Sequence, residues 1–145
     1  GEHLVQFGKA AIRRPGTDVT IVGISRMART AEAAAEVLAS EHGVAAEVID
    51  PRTLRPLDLD TILESVARTN RLLVVEEGWP HGGVGANIAA LVQQHGFDSL
   101  DAPVARLAGA DVPMPYSKGL ERLAFPDAGR VTAAALELLE GRAVA

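Results

Sequence analysis

The densest run of reactive side chains is Glu76-Glu77-Gly78-Trp79-Pro80-His81-Gly82-Gly83-Val84-Gly85. Its carboxylates could act as a general acid and base. His81 could move a proton near neutral pH. A glycine-rich turn feeding a helix could hold a phosphate on backbone N–H groups. The spacing argues against each of these. The glycines do not fall as G-x-G-x-x-G, and no Lys-Ser or Lys-Thr pair follows as in a P-loop. Two acidic side chains at a strand end would repel phosphate, so the glycines are read as allowing close strand-to-helix packing. Glu76 and Glu77 are neighbours on an extended segment and point to opposite faces. One is expected to cap or pair locally and the other to be solvated. His81 has no Ser or Cys nucleophile in a recognisable setting and reads as a surface or interface residue. Trp79, the only Trp in the chain, either packs over the sheet end or meets a partner.

Two other groups could bind ligands. Arg52 and Arg55 follow Asp50 and could hold an anion, but the preferred reading is a local ion-pair network that fixes the loop from Pro51 to Pro56. The four histidines, His3, His42, His81 and His95, show no metal-ligand spacing. Asp101 and Asp111 stand in the stretch Leu100 to Tyr116, where Pro103, Pro113 and Pro115 forbid a continuous helix. That stretch must be a shaped, mostly irregular surface beside one short strand, and such loops often mark contact sites. Each aspartate is either a turn former or an acidic contact for a basic partner.

Elements must position these groups. The chain has 145 residues, the size of one domain, and is 48% hydrophobic with only 3% aromatic residues, so Val, Leu, Ile and Ala must build the core. The net charge of −5 argues against general nucleic-acid binding. The lack of cysteine excludes disulfides and thiolate chemistry and fits a reducing compartment. No apolar run is long enough to cross a bilayer, and no membrane role is expected. The abrupt opening Gly1-Glu2-His3 gives the expectation of a fragment from a longer chain, with Leu4 to Ala11 entering as a strand.

Strands are expected at Asp18 to Ile24, Val44 to Asp50, Arg71 to Val75 and Val104 to Leu107, with an edge strand or extended arm between Leu4 and Ile12. Met27, Ala31, Ala34 and Leu38 recur at helical spacing, with Ser25 as a cap and Gly43 as the stop. Leu59, Ile62, Leu63 and Val66 form a second stripe behind the cap Asp58. Val84, Ile88, Leu91 and Val92 form a third, ending near Gly96. A terminal helix is expected over Val131 to Leu139, with Ala135 and Leu138 inward. Alternating strands and helices imply right-handed crossovers and a mostly parallel sheet. The expected fold is a single three-layer α/β/α sandwich with about five strands. Ligands in such folds sit outside the carboxyl ends of the strands.

Several ordered stretches carry a resemblance. They are Gly16 to Val22, Glu47-Val48-Ile49-Asp50-Pro51-Arg52-Thr53-Leu54-Arg55-Pro56-Leu57-Asp58, Val75-Glu76-Glu77-Gly78-Trp79-Pro80, Gly83-Val84-Gly85-Ala86, Leu100-Asp101-Ala102-Pro103-Val104 and Gly109 to Tyr116. Over nearly its whole length the chain resembles the transketolase C-terminal domain of the β subunit of thiamine-diphosphate-dependent 2-oxo acid dehydrogenases. The stretch Asp111-Val112-Pro113-Met114-Pro115-Tyr116 looks most like the pyruvate dehydrogenase branch, with branched-chain 2-oxo acid and acetoin dehydrogenases as alternatives. The resemblance implies a scaffold without catalytic residues, with thiamine diphosphate and Mg bound outside this domain. It also implies an α2β2 heterotetramer and docking of the basic subunit-binding domain of dihydrolipoyl acyltransferase at Asp101 and the C-terminus. Partner contacts are expected at Asp101, Asp111, Tyr116, Trp79 and His81. The parent would work in the bacterial cytoplasm or the mitochondrial matrix. Asn87 stands where the family usually has Glu, and the tail Gly141 to Ala145 is not a close match. An independent small-molecule site in the Trp79 to Gly85 loop is the competing reading.

Overall fold

The computed structural model describes residues 4–142. His3 and the last three residues of the tail lie outside that range. Strands β1 (Ala11–Arg14), β2 (Val19–Gly23), β3 (Ala46–Asp50), β4 (Leu72–Val75) and β5 (Ala105–Leu107) form one sheet in the order β1-β3-β2-β4-β5. β1 runs antiparallel to β3; every other pairing is parallel. The helices are α1 (Met27–His42), α2 (Leu59–Thr69), α3 (Val84–Gly96), α4 (Lys118–Ala124) and α5 (Ala128–Leu139).

β2 and β4 are buried along their whole length, as strands covered on both faces must be. Val19, Ile21, Val48, Leu73 and Val75 pack with α1 and α5 on one face. Val22, Ile49, Leu72 and Val74 pack with α2 and α3 on the other. The three-layer α/β/α expectation holds. Met27, Ala31, Ala34 and Leu38 are all buried, and Gly43 closes α1 in the left-handed region. One polar group crosses the second core. The Thr20 hydroxyl lies 2.6 Å from that of Ser65 and 2.7 Å from that of Thr69, so three buried hydroxyls satisfy one another.

Several boundaries differ from expectation. The edge strand is Ala11–Arg14, not Leu4 to Ala11. The Ala10 N–H donates to Asp58 Oδ2 at 3.0 Å, so the backbone just before the ladder is tied to a side chain instead. Ser25 does not cap α1. It adopts a positive φ of 58°, and the first N–H groups of that helix are met by backbone turns, Met27 to Ile24 O and Ala28 to Ser25 O, both at 3.1 Å. Asp58 sits at the α2 N-cap position, yet its carboxylate serves Ala10, Thr61 and Lys9. The last helix begins at Ala128, three residues earlier than Val131, because Asp127 accepts the Arg130 N–H at 2.8 Å. α4 was not expected; its leucines face outward and leave no one-sided stripe to read. No ion pair of Arg52 or Arg55 occurs among the described residues. The Arg52 N–H donates to Asp50 Oδ1 at 2.9 Å and the Thr53 hydroxyl to Pro56 O at 2.8 Å, so hydrogen bonds rather than arginine charges hold the loop.

Candidate functional site

The sheet order places β3 on one side of β2 and β4 on the other. The crevice between the carboxyl ends of β2 and β4 is where ligands bind in open α/β sheets. A cavity of about 340 Å³ lies there, lined by Ser25, Glu76, Glu77, Trp79, His81 and Gly83 among others. Its buried carboxylate is already engaged internally. Glu76 is 4% exposed and accepts the Gly85 N–H at 3.1 Å and Arg106 Nη2 at 3.1 Å. Arg106 also donates to Pro80 O at 2.7 Å. The carboxylate therefore fills the amino end of α3, the place a phosphate would need. A Cβ on Gly83 would stand 2.6 Å from Glu76 Oε2, and one on Gly85 would meet Oε1. The two glycines make room for this buried carboxylate, which is the physical reason for the glycine-rich turn.

Glu77 is partly exposed, but it is not free as expected. It pairs with Arg26, whose guanidinium lies 5.1 Å from the centre of the Phe125 ring. Each glutamate thus has its own arginine, and the two do not form an acid–base pair. His81 is exposed on the cavity rim. Among the described residues no group of three or more His, Cys, Asp or Glu side chains could hold a metal ion.

Beyond β5 the chain makes an excursion that returns on itself. The Ala110 N–H donates to Ala124 O at 2.8 Å, closing a loop that contains α4. No residue from Asp111 to Leu123 is buried. Val112, Met114, Tyr116, Leu120 and Leu123 are exposed, and Leu123 is 75% so. Trp79 is neither buried over the sheet end nor free of internal contacts. Its Nε1 donates to Val112 O at 3.1 Å and pins the loop, while 53% of the residue stays exposed beside it. Trp79, His81, Asp111 and Tyr116 therefore belong to one end of the sheet. This end of the domain thus leaves Trp79, Val112, Met114, Tyr116, Leu120 and Leu123 exposed as large apolar side chains, the kind of exposure found at interaction sites.

Asp101 lies at the other end. Its N–H donates to Asn70 O at 2.9 Å, just before β4 begins, and its Oδ2 stands 3.8 Å from Arg71 Nη1. The Leu100 to Tyr116 stretch is thus two surfaces rather than one, because β5 carries the chain across the sheet between the two aspartates. Arg26, Arg106, Leu120 and Leu123 were missed by sequence reasoning. Arginines that pair with residues 30 or more positions away leave no local signal.

A family model described as "Transketolase, C-terminal domain" matches residues 8–131. The chain belongs to this family. This transketolase C-terminal domain is similar to the mitochondrial "Pyruvate dehydrogenase E1 component subunit beta" of Dictyostelium discoideum, 52% identical over 92% of the chain and 37% of that protein. It is 58% identical to the mitochondrial subunit beta-1 of Arabidopsis thaliana, over 83% of the chain and 33% of that protein. Among solved structures it is similar to "Split gene transketolase, inactive beta4 tetramer", with a TM-score of 0.80, 29% identity, and coverage of 95% of this chain and 43% of that one. The domain spans about a third of the length of the curated relatives it matches.

Proposed function

We propose that this transketolase C-terminal domain is the assembly and docking domain of a pyruvate dehydrogenase-type β subunit. The parent enzyme oxidatively decarboxylates pyruvate and transfers the acetyl group to lipoyl. The observation that carries the proposal is the loop from Asp111 to Leu123, thirteen residues with none buried, which presents an apolar surface in place of an active site. That surface, with Trp79, His81, Asp111 and Tyr116, packs against the α subunit and a second β subunit in an α2β2 heterotetramer. The relatives' names, mitochondrial in Dictyostelium discoideum and unqualified in Rickettsia bellii, support a mitochondrial matrix or bacterial cytoplasmic parent.

Thiamine diphosphate and its Mg belong outside this domain. Two observations support that placement: the Glu76 carboxylate occupies the amino end of α3, and the first N–H groups of α1 are met by the carbonyls of Ile24 and Ser25. Asp101, at the opposite end of the sheet, receives the basic subunit-binding domain of the dihydrolipoyl acyltransferase. The opposed placement lets both partners bind together.

The test is native mass spectrometry of the β subunit mixed with its α subunit, followed by titration with the acyltransferase subunit-binding domain. Leu120→Glu with Leu123→Glu should prevent the heterotetramer and leave acyltransferase binding intact. Asp101→Ala should do the reverse. Heterotetramer formation unchanged by the double leucine substitution would refute the assembly role of the loop.

A further inference from the structure

Phe97 is a large aromatic residue that no core claims. It ends α3 as the first residue of a short 3-10 turn, Phe97–Ser99, and is 62% exposed. The Leu100 N–H donates to Phe97 O at 3.0 Å, so the turn doubles back and brings Phe97 to the same concavity as Asp101. That concavity, about 310 Å³, is lined by Gln93, Phe97, Leu100, Asp101, Ala102 and Pro103. Asp98 is exposed on the same turn. Arg71 shows that a guanidinium approaches the Asp101 carboxylate from the sheet side, at 3.8 Å from Oδ2. Oδ1 has no partner among the described residues, and the Asp101 side chain is 61% exposed.

We infer that Phe97 and Asp101 together form an arginine-selective cup, in which a partner's guanidinium binds the carboxylate edge-on and lies on the Phe97 ring. This deepens the docking reading at Asp101 and rests on it for the partner. The occupant is one arginine of a basic protein domain. Its charge complements Asp101 and Asp98, and only a planar cation can pair with a carboxylate in its plane and stack on a ring at once. An ammonium would keep the ion pair and a point-charge attraction to the ring but lose the planar stacking, so lysine would bind more weakly.

The experiment titrates the chain with the acyltransferase subunit-binding domain in its native form and in a form with every Arg changed to Lys. The native form should bind more tightly. Phe97→Leu should weaken the native form about two- to fivefold and the Lys form less, since an exposed cation–π contact is worth that much and the guanidinium adds planar stacking. Asp101→Asn should weaken both. Equal weakening of both forms by Phe97→Leu, or no weakening of either, would overturn the inference while leaving docking at Asp101 in place. Absence of binding to the unaltered chain would instead refute the docking reading. The cup is then tested alone, by following the Phe97 ring resonances on addition of methylguanidinium or methylammonium. Selective shifts with methylguanidinium support it, and equal or absent shifts overturn it. Thermal unfolding of Phe97→Leu, at an exposed position, should match the unaltered chain.

Discussion

Adjacent glutamates with opposite energetic weights give a sharp test of the reasoning at the sheet end. Glu76→Ala removes the acceptor of the buried Gly85 N–H and of Arg106. Breaking a fully buried ion pair costs about 3–5 kcal/mol. Arg106 is 26% exposed and keeps its bond to Pro80 O, so the cost here is scaled to about 2–3 kcal/mol. For a domain of this size that corresponds to a fall in Tm of about 5–10 °C. Glu77→Ala breaks a pair in which Arg26 is 59% and Glu77 29% exposed, and such solvent-screened pairs contribute about 0–1 kcal/mol. The assay is urea denaturation of both variants, with Arg106→Ala and the Glu76/Arg106 double variant completing a cycle. The cycle should show coupling, because once Glu76 is gone Arg106 has lost its carboxylate partner. A Glu77→Ala loss equal to that of Glu76→Ala, or a Glu76→Ala loss under about 1 kcal/mol, would refute the claim that the buried carboxylate holds the α3 terminus.

Other substitutions test the remaining contacts. Thr20→Val breaks two buried hydroxyl contacts at 2.6 and 2.7 Å and should cost about 1–3 kcal/mol in denaturant unfolding, with unchanged m-value. Asp58 is buried, which raises its carboxyl pKa, but the Ala10 N–H, the Thr61 hydroxyl and Lys9 outweigh burial and hold it below the ordinary carboxylate value. A carboxyl held lower in the folded state contributes stability that is full above its unfolded value, about 4, and lost as pH falls through the folded value. Asp58→Asn should therefore be less stable than the unaltered chain at pH 7, and the gap should narrow below about pH 4, checked by urea unfolding across pH. Leu123→Glu alone, at a residue 75% exposed, should change unfolding free energy by under about 0.5 kcal/mol while weakening subunit assembly. A large stability loss would mean that Leu123 packs internally.

The sequence by itself determined the fold class, the strands β2 to β5 to within two residues, and the inward faces of α1, α2, α3 and α5. Those features are encoded locally, in β-branched runs and 3.6-residue apolar spacing, and burial on both sheet faces leaves little choice of residue. It also placed Asp101, Asp111, Trp79 and Tyr116 in irregular, exposed segments, because prolines and glycines punctuate the chain around them. Only the tertiary structure decided which charges neutralise one another. Arg106 reaches Glu76 across 30 positions and Arg26 reaches Glu77 across the β2–β4 crevice, and no local pattern records such partners. It likewise decided that Asp101 and Asp111 stand at opposite ends of the sheet, since the direction of β5 is fixed by its pairing with β4. Burial of Glu76 beneath Gly83 and Gly85 then follows from backbone approach in three dimensions, and it shows what the expected close strand-to-helix packing accommodates: a buried carboxylate.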